Sequence, residues 1–312
     1  MDWAGLFDTF ANFTTIFLGI FVEAAPFLML GTLASGLVEV FFGAGDFSRY
    51  VPRNPFFAAL TGAAMGLVFP VCECGVVPLT RRLVRKGLPL SAAVSFLLAA
   101  PVVNFIVIAS TLAAFGPGPI FYARILLSVG IASLTGMVFA FEKRPERLLL
   151  PASLPVMSGA GLGYEIGLQP AVREPLLSRL RRVLGIAVDE FFEMGRFLVF
   201  GGVVAAGMQT VLPQSVLLGL GSGPVVSVLL LITLAVLLSI CSTVDAFIAL
   251  AFVGTFSTGS ILGFLVFGPM VDIKSSLMFL NVFKRRAVAY MILLPLLMTI
   301  LAGVFINLNM TW

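Results

Sequence analysis

Long apolar blocks, separated by short clusters of basic residues, run the length of the chain. Such blocks read as membrane helices, because a segment that is apolar all round has no face to offer water. Several are interrupted. Pro70 and Gly75 flank a break carrying Cys72-Glu73-Cys74, residues 239–244 hold a second break with Cys241, and Pro101 and Pro269 interrupt the apolar helices that follow. Proline in a helix interior frees a carbonyl that neighbours or ions can use. The apolar stretches before the first two breaks run about 16 residues, or about 24 Å as helix, less than the roughly 30 Å hydrocarbon core. They need not cross it.

The interruptions recur in order. Glu23, Phe27, Leu28 and Gly31 align with Glu193, Phe197, Leu198 and Gly201; Cys72 aligns with Cys241; Phe96, Leu97, Pro101 and Asn104 align with Phe264, Leu265, Pro269 and Asp272. The offset stays between 168 and 170 residues, which predicts a duplicated architecture.

Basic residues then set the topology, since cytoplasmic loops collect them. They lie at Arg49 and Arg53, at Arg81, Arg82, Arg85 and Lys86, across 143–182, and at 284–286; the connections 116–119, 212–224 and 255–260 have none. Eight simple crossings cannot place all four clusters on one side. They fit if residues 55–80 dip in and return, and if 224–256 do the same from outside. The expected fold is therefore an all-α polytopic membrane protein of two inverted repeats, each about three crossing helices plus a re-entrant helical hairpin. Eight simple transmembrane helices are the alternative. Residues 1–141 form the first repeat, 142–184 a cytoplasmic linker and 185–312 the second repeat. Both termini are expected outside, in a multi-pass protein of the cell inner membrane.

Composition agrees: 312 residues, 60% hydrophobic and 11% charged, with mean hydropathy +1.11, exclude a soluble domain of this length. The net charge of +4 reflects topology rather than nucleic acid. The first ten residues carry Asp2 and Asp8 but no Lys or Arg, so the first apolar segment is expected to stay rather than be cleaved as a signal peptide. Lys274-Ser275 resembles the end of a phosphate-binding loop, but Ile273 stands where the glycine is needed, so no nucleotide site is expected. No cofactor is expected either. The partners are a small-molecule or metal-ion substrate and the lipid bilayer, with no nucleic acid and with a homo-oligomer left open.

Three Cys and no His leave sulfur as the basis of any soft-metal site. In an α-helix residues i and i+2 point about 200° apart, so Cys72 and Cys74 can clasp one atom only off-helix. Cys241 adds a third sulfur from the opposite hairpin, and three thiolates suit a trivalent arsenical or Cu(I); Glu73 or Asp245 would complete a four-ligand zinc site.

The segments Phe69-Pro-Val-Cys-Glu-Cys-Gly-Val-Val-Pro-Leu79, Ala99-Ala-Pro-Val-Val-Asn104, Cys241-Ser-Thr-Val-Asp-Ala-Phe247 and Leu265-Val-Phe-Gly-Pro-Met-Val-Asp-Ile-Lys274 resemble bacterial and archaeal inner-membrane permeases that include the ArsP-type organoarsenical efflux permeases. The resemblance covers nearly the whole chain. It implies export of trivalent methylated arsenicals or other thiophilic metals. Glu73 departs from the small residue usual between the two cysteines, and this added charge favours a cation.

Other intramembrane polar residues extend the candidate list. Cys72, Glu73, Cys74, Cys241, Asp245, Asn104 and Asp272 are the candidate substrate contacts, with the three cysteines as metal ligands. Glu23 and Glu193 occupy equivalent places and are candidates for proton coupling. Arg196 lies one turn after Glu193, which predicts an ion pair between them. Asp272 is expected to pair locally with Lys274, whereas Asp245 has no basic residue nearby in sequence. The favoured function is a secondary transporter exporting a thiophilic solute; the alternative is an intramembrane thiol oxidoreductase, or a sulfur-compound carrier, working through Cys72 and Cys74.

Overall fold

The computed structural model describes residues 3–43, 47, 51–52, 54–69, 71–142, 148–153, 175–211 and 223–309. Pro70, Arg49, Arg53 and most of the expected linker lie outside the described residues. Twelve α-helices follow in order among those described: α1 (Trp3–Phe41), α2 (Pro55–Val68), α3 (Glu73–Arg85), α4 (Leu90–Ala99), α5 (Phe105–Phe115), α6 (Pro119–Ala140), α7 (Leu176–Val211), α8 (Val226–Leu238), α9 (Asp245–Leu250), α10 (Thr258–Met270), α11 (Ile273–Phe279) and α12 (Arg285–Asn309). Among the described residues, five spans are long and apolar enough to cross a membrane: Thr9–Phe41, Pro119–Ala140, Leu176–Thr210, Thr258–Phe279 and Arg285–Asn309. The chain is a polytopic membrane protein.

Helix starts follow local chemistry. Asn54 caps α2 by accepting from Phe56 N at 3.1 Å, with Pro55 at the first helical position. Asn104 caps α5 by accepting from Val107 N at 2.9 Å. Asp272 caps α11 through a reciprocal capping box with Ser275. Asn104 and Asp272, aligned in sequence, thus do the same local work.

Close glycine contacts set the helix directions. Gly62 of α2 meets Ala92 of α4, and Gly66 meets Ala100 and Val103, so the two helices run in the same sense. Gly263 of α10 meets Val228 and Ile232 of α8, and Gly268 meets Ala235, so these two also run together. Gly36 of α1 faces Val183 and Gly202 of α7 faces Phe17, making α1 and α7 antiparallel. Gly136 near the end of α6 meets Ser91 and Ser95 at the start of α4, and Gly259 at the start of α10 meets Gly303 near the end of α12.

Two helices brace one side of the molecule. α1 packs along α7 and α3, while α7 also packs on α11; α3 touches α11, and α5 touches α9. A large buried core includes Leu28, Phe96, Phe267, Phe279 and Phe283, and a smaller one gathers Leu231, Leu234, Phe264 and Leu265 against Phe115. Part of the expected 142–184 linker has its own structure. Residues 176–184 already belong to α7, and residues 148–150 dock on the α11–α12 connection: Leu150 N donates to Val282 O at 3.0 Å and Lys284 N to Leu148 O at 2.8 Å.

Candidate functional site

Two helix breaks supply the thiols. α2 ends at Phe69 in extended backbone, and Cys72 (φ −79°, ψ 177°) is the N-cap of α3, its carbonyl accepting from Gly75 N and Val76 N. α8 ends at Ser239, whose φ of +46° is rare for a residue with a side chain. Cys241 follows, and its carbonyl accepts from Val244 N and Asp245 N at the start of α9. Cys72, Cys74 and Cys241 are buried and unpaired with one another as disulfides. Cys72 and Cys74 interact, Cys241 lies within electrostatic range of Cys72 and Glu73, and half-buried Glu23 reaches it from α1.

Equivalent glycines admit the helices that carry these groups. Gly31 of α1 lies directly against Gly75, leaving no room for a side chain on either. Gly201 of α7 lies against the Cα and Cγ of Lys274, a close but looser approach of α11 to α7.

Lys274 is the centre of the site, 2% exposed. Its Nζ donates to the Ser239 carbonyl at 2.7 Å and stands 3.4 Å from Asp272 Oδ2 and 3.8 Å from Glu73 Oε1. Glu23 also lies within its electrostatic range. The structure therefore brings together Glu73, Cys74, Cys241, Asp272 and Glu23 around a lysine that the sequence pairs only with Asp272, with Cys72 beside Cys74. Among the described residues no group of three or more His, Cys, Asp or Glu side chains has the disposition of a metal site.

Three candidates stand elsewhere or are occupied. Asn104 caps α5 and donates to Ala100 O at 3.0 Å. Asp245, which lacks a basic neighbour in sequence, has one in space: Arg124 of α6 donates to its Oδ2 at 2.6 Å and to Thr111 Oγ1 at 2.8 Å, with Arg124 and Asp245 both buried. Sequence distance hid this partner. The sequence signal for it is a lone arginine inside an apolar helix, away from the loop clusters that set the topology. Glu193 does not pair with Arg196 through its carboxylate. Arg81 holds Glu193 Oε1 at 2.8 Å and Asn281 donates to it at 3.1 Å, whereas Arg196 donates to the Glu193 carbonyl and lies over the Phe197 ring. Beside this, Arg82 bridges Glu190 at 2.5 Å and Glu39 at 3.3 Å, and Lys86 reaches Glu39 at 3.5 Å. The basic cluster at the end of α3 is thus bound to acids of α1 and α7.

The family model described as ArsP_1, "Predicted permease", matches residues 9–308. The chain belongs to this permease family. It is 41% identical over 298 residues to "UPF0718 protein YcgR" of Bacillus subtilis (strain 168), covering 95% of this chain and 97% of that one. It is also 35% identical over 272 residues to the "Putative two-component membrane permease complex subunit" of Streptococcus mutans serotype c, covering 87% of each. No solved structure matches the chain significantly. The family and the Streptococcus mutans relative support a membrane transporter.

Proposed function

We propose that this permease is a secondary transporter of two inverted repeats that exports a trivalent organoarsenical through Cys72, Cys74 and Cys241. A soft metal ion is the second substrate class. The observation that carries the reading is the burial of three cysteines at broken helix ends, within electrostatic range of the Glu73–Lys274–Asp272 cluster. The shared sense of α2 and α4, and of α8 and α10, supports hairpins that enter and return, one from each side. With the basic clusters inside, both termini then lie outside, and residues 1–141 and 185–312 are the two repeats.

The thiol pair suits the chemistry. A monomethyl trivalent arsenical carries two exchangeable hydroxyls. Attack by the Cys72 and Cys74 sulfurs forms two As–S bonds and breaks two As–O bonds, the thiol protons leaving with the hydroxyls as water. Cys241, from the opposite hairpin, then exchanges for one of them: a new As–S bond forms as another breaks, and the proton passes to the departing sulfur. Two thiols suffice to start, so a preformed three-ligand metal cage is unnecessary. Glu23 faces Cys241 and is the better candidate for proton coupling; Glu193 is held by Arg81 and Asn281. The name of the Streptococcus mutans relative supports a partner subunit in the membrane as well.

Uptake of methylarsenite into everted membrane vesicles tests the reading. Cys72→Ser and Cys74→Ser are each expected to lower it about tenfold or more while leaving the amount of protein in the membrane unchanged. Uptake that survives loss of both thiols overturns the proposal.

A further inference from the structure

Lys274 occupies a place that helix stability does not explain. It is the second residue of α11, where the macrodipole favours negative side chains and disfavours cations. Its stem lies against Gly201, and its ammonium reaches instead to the C-terminal end of α8, the negative end of another helix dipole. The last carbonyls of α8 are orphans of the helix ladder. Gln209 Nε2 donates to that of Leu238 at 2.9 Å and Lys274 Nζ to that of Ser239 at 2.7 Å.

The hydrogen-bond and ion-pair partners of the ammonium are all oxygens and come from three elements, while Cys74, Cys241 and Glu23 lie within its wider electrostatic range. The Ser239 carbonyl belongs to the end of α8, Asp272 caps α11 and Glu73 opens α3. Glu73 and Asp272 are 4% and 2% exposed, and neither Glu73 Oε2 nor Asp272 Oδ2 accepts a hydrogen bond. A main-chain carbonyl freed at a broken helix end, with two buried carboxylates holding unused acceptor capacity, is the oxygen set that hard cations use. The left-handed Ser239 turns that carbonyl into the site, so the strained backbone and the cation meet at one residue.

We propose that Lys274 is a tethered cation filling a monovalent-cation site formed by Ser239 O, Asp272 and Glu73, so that the chain carries within itself the charge that a coupling sodium ion would bring. Two consequences separate this role from that of an ordinary structural ion pair. Removing the amine leaves a site that a free small cation can fill. Transport by the intact protein is indifferent to sodium; this second consequence rests on the transporter reading, while the first does not.

Thermal unfolding of purified protein tests the site without any substrate. Wild-type protein, Lys274→Ala and Lys274→Gln are compared in N-methylglucamine and in lithium, sodium, potassium or methylammonium chloride at constant ionic strength. The wild type is expected to melt at one temperature throughout. Both variants are expected to melt lower in N-methylglucamine and to rise by about 5 °C in at least one small cation, saturably, with Glu73→Gln added to Lys274→Ala abolishing the rise. Folded variants that ignore every cation, or a wild type that shifts with sodium, overturn the proposal. So does failure of both variants to accumulate in membranes, because cellular potassium should fill the vacated site. Methylarsenite uptake by the wild type that needs sodium overturns the coupling consequence alone.

Discussion

Arg124 and Asp245 form a buried ion pair between α6 and α9, with Thr111 of α5 as a third member. Desolvation offsets much of the attraction in such a pair, so its worth appears mainly when one member is removed. Arg124→Met strands a carboxylate whose other oxygen, Oδ1, already lacks a hydrogen bond. It is expected to destabilise by about 3–5 kcal/mol, and the double variant Arg124→Met/Asp245→Leu is expected to recover most of that. Melting of the three proteins in detergent checks this; a double variant no better than the single one would show that the acid is needed for more than charge balance. This pair and the Lys274 cluster were the parts of the site hardest to read from sequence. Their partners lie about 120 and 200 residues apart, and one acceptor is a main-chain carbonyl that no side-chain pattern reports. The thiols were legible because cysteine, acid, proline and glycine in one short segment stand out in an apolar chain.

At the scale of elements, helix ends decide the arrangement. The breaks expected near residues 70, 101, 239 and 269 are found where α2, α4, α8 and α10 stop, because proline placement, capping residues and the Ser239 turn all act locally. Helix pairing depends on contacts far apart in sequence, and glycine carries much of it here. A Cβ at Gly62 would collide with the backbone of Ala92, whereas one at Gly130 of α6 would meet nothing within 4 Å. Gly62→Ala is therefore expected to lower the melting temperature by several degrees, and Gly130→Ala to leave it unchanged or raise it by a few degrees, through the roughly 0.5–1 kcal/mol of regained helix propensity. Equal melting temperatures would mean that α2 and α4 yield to the extra methyl.

For the molecule as a whole, α1 and α7 lie together and brace the side where α3 meets α11, and salt bridges from Arg81, Arg82 and Lys86 fasten that brace. The site's acids and lysine thus sit beside a cross-linked wall drawn from both halves. The apolar helices and their breaks were readable from hydropathy, proline and capping residues, since these are patterns along the chain; the brace was not, since it depends on which long helices choose each other. The docking of residues 148–150 on the α11–α12 connection has a further consequence. What joins the halves is then surface contact more than covalent continuity. Two separate polypeptides, 1–153 and 175–312, are expected to find each other when co-expressed, co-purify through a tag on one of them, and complement each other in methylarsenite uptake. Disrupting the strip with Leu150→Pro, which removes the N–H that bonds to Val282, should weaken that complementation more than it weakens the uninterrupted chain.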